Sequence, residues 1–410
     1  MRILQADNQE ALTRFMQEIK VDPYGIKIMV PKGMAFLVKM NALSNISANI
    51  LKQEMLSLGA DAAIAKDALT GKVKKTDCLL MGNLAQLLRL NEKLKKQPFG
   101  LNRLAQELSL ALANYQNDKF TIKLGIYSLT FSRRPYIMGI VNLTPDSFSG
   151  DGLYRLSAVP CLPAGRSCQL SATIDFIEKM VRDGADIIDI GGESSRPGRK
   201  PVSIAEELSR TIPIIKKAAN KIKVPISIDT YKPEVAQQAL DNGAVMINDI
   251  SGLRNPKMRK VVARYKAAVV IMHMKGNPCT MQKNPVYGSL VDEIIVYLDT
   301  SIKLALEAGI AKDKIMIDPG IGFGKTVGHN LEIIKRLKEF KILGFPILVG
   351  PSRKSFIGKI LNLEPKERIF GTVPACVLAI GNGANMVRVH DVKEVKQAIT
   401  IEEAINKIKI

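Results

Sequence analysis

Tryptophan is absent from this chain, and aromatic residues of all kinds make up only 5% of it. Proteins that hold nucleic acid need stacking aromatics beside a concentrated basic stripe. The basic runs here, Lys72-Val73-Lys74-Lys75 and Lys93-Leu94-Lys95-Lys96, are short and lack such a platform, so nucleic acid is not an expected partner. Cysteines are few and odd in number (Cys78, Cys161, Cys168, Cys279 and Cys376), with no CxxC pair. That argues against a disulfide framework or a zinc cluster and for free thiols in a reducing cytoplasm. No stretch reaches the roughly 18 consecutive apolar residues of a membrane span, and Met1–Glu10 has no apolar core of a signal peptide. Acidic residues are a minority, 39 against 59 Lys and Arg, which leaves a net charge of +20. The excess is dispersed, since residues 1–130 hold 18 basic and 11 acidic side chains. A dispersed excess reads as a solvated basic surface that also draws in anionic metabolites.

What is present is a repeat. At 410 residues the chain is too long for one ordinary domain. From about residue 135 a short apolar run, a polar turn and a helical pattern recur. The runs are Tyr136–Val141, Ala185–Ile190, Pro225–Ile228, Val245–Ile250, Ala268–Met272, Lys314–Ile317, Pro346–Val349 and Met386–Val389. Runs without polar alternation are buried on both faces, as in a parallel sheet. Eight such units fit a closed (β/α)8 TIM barrel better than an open sheet. No GxGxxG follows the first strand, which disfavours a dinucleotide fold. The run Gly320-Ile321-Gly322-Phe323-Gly324-Lys325 lacks the P-loop spacing.

The fold class is therefore α/β, a barrel over residues 119–410 preceded by a small α/β domain over residues 1–118. In that domain Lys27–Val30 and Cys78–Met81 read as strands, and Ser44–Leu58, Leu84–Lys96 and Asn102–Tyr115 as helices. It offers no nucleophile–base pair, metal spacing or phosphate loop. Phe120–Phe131 reads as a hairpin closing the bottom of the barrel. Leu153–Ser171, with Pro160, Pro163 and Gly165, reads as a long irregular loop.

Barrel enzymes carry their chemistry at the C-terminal ends of the strands. Those ends hold Asn142, Asp189, Asp229, Asn248 with Asp249, His273, Asp318, Ser352-Arg353-Lys354, and Arg388 with His390. Such a set makes a polar pocket with an anion-binding side and a hydrogen-bonding side. Arg388 and His390 alternate on one strand and so point the same way. Asp318 lies in an Asp-Pro-Gly turn, which also suits a purely structural role. His273, flanked by Met272 and Met274, suits a buried structural histidine as well as a site residue.

The strand ends also spell motifs in order: Met138-Gly139-Ile140-Val141-Asn142-Leu143-Thr144-Pro145-Asp146-Ser147-Phe148-Ser149, Asp189-Ile190-Gly191-Gly192-Glu193-Ser194-Ser195-Arg196-Pro197-Gly198, Ser227-Ile228-Asp229-Thr230, Ile247-Asn248-Asp249-Ile250, Met272-His273-Met274-Lys275-Gly276-Asn277-Pro278, Asp318 to Lys325, Gly350-Pro351-Ser352-Arg353-Lys354-Ser355 and Arg388-Val389-His390-Asp391. From about residue 120 to 410 the chain resembles the dihydropteroate synthase family. The first loop departs from the family pattern at Ser149-Gly150-Asp151-Gly152, and Ser195 stands where Thr is common.

The resemblance implies a transferase of folate biosynthesis. It would join 6-hydroxymethyl-7,8-dihydropterin diphosphate to p-aminobenzoate, with Mg²⁺ assisting, and would be a target of sulfonamides. It implies a pterin set of Asp229, Asn248, Asp318, Lys354 and Arg388, of which Asp229, Asp318, Lys354 and Arg388 would be catalytic. The diphosphate would meet Asn142, Ser195, Arg196, Arg388 and His390, with Asn142 as the protein ligand of Mg²⁺. The p-aminobenzoate site would comprise Phe148, Pro197, Phe323, Lys354 and Ser355. The family is commonly homodimeric. Two other readings share part of this pattern, a pterin-binding methyltetrahydrofolate methyltransferase and a basic nucleic-acid-binding barrel without activity. The first has no need of the diphosphate set, and the second has no need of polar strand ends.

Overall fold

The computed structural model of the chain describes residues 1–6, 8–132, 134–144, 165–194 (165–169 by backbone alone), 201–278, 280–406 and 408. It divides into two compact units, Met1–Ala113 and Asn114–Lys407. The smaller begins with α1 (Gln9–Glu18) and α2 (Pro23–Gly33). There follow β1 (Ala35–Ser44), α3 (Asn45–Ser57), β2 (Asp61–Ile64), α4 (Lys66–Leu69), β3 (Lys75–Asn83), α5 (Leu84–Leu94) and α6 (Leu101–Gln116). Its sheet is antiparallel, in the order β1-β3-β2. Strand alternation turns Cys78 and Leu80 of β3 onto Leu51, Met55, Leu87, Leu90 and Leu94. Each such side chain contributes about 1.5–3 kcal/mol when fully buried. Asn83 and Gln86 exchange hydrogen bonds of 2.9 and 2.8 Å in a capping box that starts α5 where β3 stops.

One expected strand of this unit is a helix. Lys27–Val30 lies inside α2. Asp22 caps that helix, its carboxylate accepting from the amides of Tyr24 and Gly25 at 2.8 and 3.3 Å. Pro23 fills the first turn, where a missing N–H costs nothing. The strand comes later, as β1.

The larger unit opens with the hairpin β4 (Phe120–Leu124) and β5 (Tyr127–Phe131), in register from Phe120↔Phe131 to Leu124↔Tyr127. Eight parallel strands follow: β6 (Tyr136–Asn142), β7 (Ile187–Gly191), β8 (Ile226–Asp229), β9 (Met246–Asp249), β10 (Ala268–Met272), β11 (Ile315–Asp318), β12 (Leu348–Val349) and β13 (Met386–Val389). Strands adjacent in sequence pair in turn, and β13 pairs with β6. A parallel bridge between Ile317 and Ile347 closes the ring. The intervening helices are α7 (Gly165–Arg182), α8 (Ile204–Ala219), α9 (Pro233–Asp241), α10 (Pro256–Tyr265), α11 (Leu290–Glu307), α12 (Val327–Lys335), α13 (Ser355–Leu361), α14 (Ile369–Gly381) and α15 (Val392–Asn406). Helix α7 corrects the expected irregular stretch Leu153–Ser171, whose backbone is helical from Gly165 onward. Its earlier part, up to residue 164, lies outside the described residues.

Alternation along the strands divides the barrel interior into two halves. At the N-terminal ends Met138, Ile187, Met246, Val270, Met316, Leu348 and Met386 form one cluster with Ile122, Leu124, Leu129 and Phe131 of the hairpin. The hairpin therefore seals the bottom, as expected. At the C-terminal ends the same inward alternation brings Asn142, Asp189, Ser227, Asp229, Asn248, Asp318 and Arg388. Among the described residues no helix is long and apolar enough to cross a membrane.

Candidate active site

The centre of the polar half is a half-buried guanidinium. Arg388 of β13 donates from Nε to Asp189 and from Nη2 to Asp229, each at 2.6 Å. Asn248 of β9 donates from Nδ2 to the same Asp189 oxygen at 3.0 Å. Four strands thus meet in one network, and its remaining acceptors are specific. The other oxygen of Asp189, Oδ1 of Asn248 and Oγ of Ser227 are buried with no protein partner. Buried polar atoms without partners are rare in folded proteins, and at a site they mark hydrogen-bonding capacity held for a ligand.

Burial pushes the Asp229 carboxyl up to about 7, with Asp189 and Glu207 adding to the shift and Arg388 and Lys354 opposing it. Burial likewise raises Asp318 to about 6, against the Gly320 amide and the charges of Lys354, Lys325 and Arg388. Burial also works against the charge of Arg388, but Asp189 and Asp229 outweigh it and hold the guanidinium protonated.

Asp318 ends β11 and accepts at Oδ1 from the amide of Gly320, 2.6 Å away. The loop after it turns through Gly320, Gly322 and Gly324, all with positive φ. At Gly320 a Cβ would lie 1.9 Å from the His273 carbonyl oxygen, so no other residue fits there. This loop carries Phe323, and the Lys354 ammonium sits 4.2 Å from the centre of its ring. His390 is held from the other side, its Nδ1 3.0 Å from Ser352 Oγ and its Nε2 3.4 Å from Asn142 Nδ2. That leaves the Asn142 amide oxygen as a donor for a cation. Arg353 pairs through Nε with Asp391 at 2.9 Å, and Arg368 donates to the Arg353 carbonyl at 3.0 Å.

One cleft of about 310 Å³ is lined by Asn142, Asp229, Phe323, Lys354, Ser355, Arg388 and His390, with Arg353 and Arg368 beside them. Seven residues singled out from sequence therefore share one cavity. Asn248 and Asp318 are buried in the network and turn beneath it, 3% and 6% exposed. Phe148, Ser195, Arg196 and Pro197 lie outside the described residues. Asp249, next to Asn248, is structural: its carboxylate caps the following turn through the amides of Ser251 and Leu253.

Sequence reasoning placed Asp189 at a strand end but gave it no role. Its signal was parity, because it occupies the inward position of β7 just as Asp229 does on β8. Ser352 likewise stood at a strand end without a role, and Lys325 and Arg368 were missed. Only Lys325 left a trace, as the basic residue ending a glycine-rich run. Among the described residues no group of three or more His, Cys, Asp or Glu is placed to hold a metal ion. A single amide oxygen suits Mg²⁺, which keeps most of its shell for water and phosphate.

Known proteins resemble this chain in sequence and in fold. A family model described as pterin binding enzyme matches residues 138–390. The dihydropteroate synthase of Synechocystis is 47% identical over 277 residues, covering 67% of this chain and 91% of that one. A protein of Halobacterium salinarum named as a probable bifunctional folylpolyglutamate synthase/dihydropteroate synthase is 37% identical over 406 residues. That alignment covers 97% of this chain, so it takes in the smaller unit, but only 46% of the halobacterial protein. Among solved structures, the Yersinia pestis dihydropteroate synthase with a sulfonamide drug complex aligns with a TM-score of 0.64 at 39% identity. It covers 70% of this chain and all of that one.

Proposed function

The chain belongs to the pterin-binding enzyme family, and we infer from that membership that it catalyses the dihydropteroate synthase reaction of folate biosynthesis. The amine of p-aminobenzoate bonds to the methylene carbon of 6-hydroxymethyl-7,8-dihydropterin diphosphate. The C–O bond breaks, diphosphate leaves with the bonding pair, and the new secondary amine sheds a proton. The observation that carries this reading is the polarity of the cleft, with carboxylates and an amide at its floor and cations at its rim. A pterin diphosphate has the matching polarity, a ring edged with N–H groups at one end and an anion at the other.

In this reading Asp229 and Asp318 accept pterin N–H groups, and Asn248 binds through its unpartnered Oδ1. As the C–O bond breaks, positive charge grows on the pterin, and these fixed carboxylates stabilise it without reorganising. Lys354 orients the pterin carbonyl and, stacked on Phe323, borders the p-aminobenzoate site with Ser355, Phe148 and Pro197. His390, Asn142, Ser195 and Arg196 receive the diphosphate. Arg388 faces the same cleft, but two of its donors are bound to carboxylates. Its first task is to hold Asp229 in place, and its charge reaches the anion only in part. Asn142 would hold Mg²⁺, which neutralises charge on the leaving diphosphate. No side-chain nucleophile is needed, because the arylamine is the nucleophile.

A coupled assay of diphosphate release tests the reading. Release should require p-aminobenzoate and Mg²⁺ and should be blocked by a sulfonamide. Release without p-aminobenzoate, or none with it, would overturn it. We further assign the chain to the cytoplasm, where Cys78 and Cys376 remain buried thiols. A second copy of the chain fits the apolar face of α12, α13 and α14, where Leu331, Ile360, Phe370 and Leu378 are 46%, 53%, 87% and 60% exposed. Light scattering should then report a dimer, and Phe370→Asp a monomer.

A further inference from the structure

The loop that follows Asp318 carries a lysine that the reaction, as described, does not use. Lys325 ends the glycine loop and is 3% exposed. Its ammonium donates to the Phe323 carbonyl at 3.0 Å and to Nδ1 of His273 at 2.9 Å. His273 in turn is tied to β11, its own amide donating to the Asp318 carbonyl at 2.9 Å. An edge-on contact with Tyr297, 4.9 Å between ring centres, fixes the imidazole. The end of β10, the end of β11 and the loop that carries Phe323 are thus joined around one nitrogen.

We propose that Lys325 is a positioning residue of the pterin pocket: through its bonds to His273 and the Phe323 carbonyl it fixes the 319–325 loop and, by way of His273, the strand end that carries Asp318. A buried ammonium is costly to desolvate unless it is paired and hydrogen-bonded. Its bonds to the Phe323 carbonyl and to His273 supply that pairing. The Asp318 carboxylate and the ammonium each oppose the other's desolvation, since burial draws Lys325 down to about 7 while Asp318 opposes that shift. His273 is suited to its part because burial, and then the charges of Lys325, Arg254 and Lys275, press its pKa down to about 2. The ring stays neutral, with Nδ1 free to accept from the ammonium and the proton on Nε2.

The inference rests on the pterin reading of the cleft, and its test separates the two. The probes are 6-hydroxymethyl-7,8-dihydropterin, which lacks the diphosphate, and inorganic diphosphate with Mg²⁺. If the wild-type chain does not bind the pterin, the reading of the cleft fails. If it does, Lys325→Met should weaken pterin binding roughly tenfold to a hundredfold, the scale of a charged hydrogen bond. Diphosphate binding should be unchanged. Unchanged pterin affinity would overturn the proposal. So would a lowered midpoint with both ligands weakened alike, which is the signature of a structural lysine. Should Lys325→Met not fold, His273 provides the second test. His273→Asn keeps an acceptor and should retain pterin binding, whereas His273→Leu should lose it to the same degree as predicted for Lys325→Met. Equal binding by the two His273 variants would sink the proposal.

Discussion

The two units of this chain bury apolar side chains in the same way and polar ones very differently. Among its described residues the smaller unit buries only Ser47, Thr76 and Asn91, none of them charged. Its ion pairs stay at the surface, as between Lys93 and Glu54, where the lysine is 41% exposed. The barrel buries Asp189, Glu207, Asp249, Asp318 and Lys325, and it also encloses Lys232 between Glu193 and Glu207 at 2.6 Å each. Burying a charge is expensive unless it is paired. A fold that carries several at one end keeps them for something other than stability. The smaller unit, with a core of leucines and caps, shows no such cost.

The largest effect that would sharpen this contrast comes from removing the shared partner of two carboxylates. Arg388→Met leaves the buried Asp189 and the half-buried Asp229 without their shared partner, and should cost about 3–5 kcal/mol of stability. Lys93→Met in the smaller unit should cost about 1 kcal/mol or less. Chemical denaturation of the two variants compares them directly, and equal losses would erase the distinction. Asp229→Asn should be milder in stability and severe in function. Loss of a charged hydrogen bond to the pterin is worth about 1.5–3 kcal/mol, so kcat/KM should fall roughly tenfold to a hundredfold. A folded variant with wild-type kcat/KM would remove Asp229 from the pterin site.

Acidity should then set stability and activity against each other in the barrel. Asp229 and Asp318 titrate at about 7 and about 6 in the folded protein, above the ordinary 3.8. The folded form therefore holds protons that the unfolded chain has already released. The stability these groups contribute is full below the unfolded value and is lost as pH rises through about 6 and about 7. Activity needs the ionised carboxylates, so kcat/KM should fall as pH drops through the same window. Denaturation midpoints and initial rates over that range would show opposite slopes, and parallel slopes would refute the assignment. The smallest effect belongs to the smaller unit. A chain beginning at Asn114 keeps the hydrogen bond from Asn114 to the Ile342 carbonyl and the pair between Lys341 and Asp118. Its kcat/KM should match that of the full chain, and a folded but inactive product would show that residues 1–113 serve the chemistry.

How far the sequence could be read follows the same division. The eight barrel strands were legible because strands buried on both faces are written as unbroken apolar runs, and the polar residues ending them announced the cleft. The hairpin was legible from its alternation about Gly125. Lys27–Val30 misled because Ile26, Ile28, Met29 and Val30 make an apolar run too, and only the Asp22 cap and Pro23 tell the helix from a strand. The helical start at Gly165 was hidden behind Pro160 and Pro163. Within the site, residue types were readable but pairings were not. Nothing local says that Arg388 would close on carboxylates of β7 and β8, distant in sequence, or that Lys325 would turn inward to His273. Those bonds exist only once the barrel closes.

The hairpin under the barrel has a consequence for the order of events. With the bottom filled by Ile122, Leu124, Leu129 and Phe131, the barrel is shut at that end among the described residues. In the proposed reaction both substrates would enter and both products would leave through the ring of strand ends. If the pterin rests on the Asp229 and Asp318 floor as proposed, it has to arrive before the p-aminobenzoate that sits above it. A p-aminobenzoate already seated above would stand in its way. A molecule lodged in that outer position would then trap whatever lies below it.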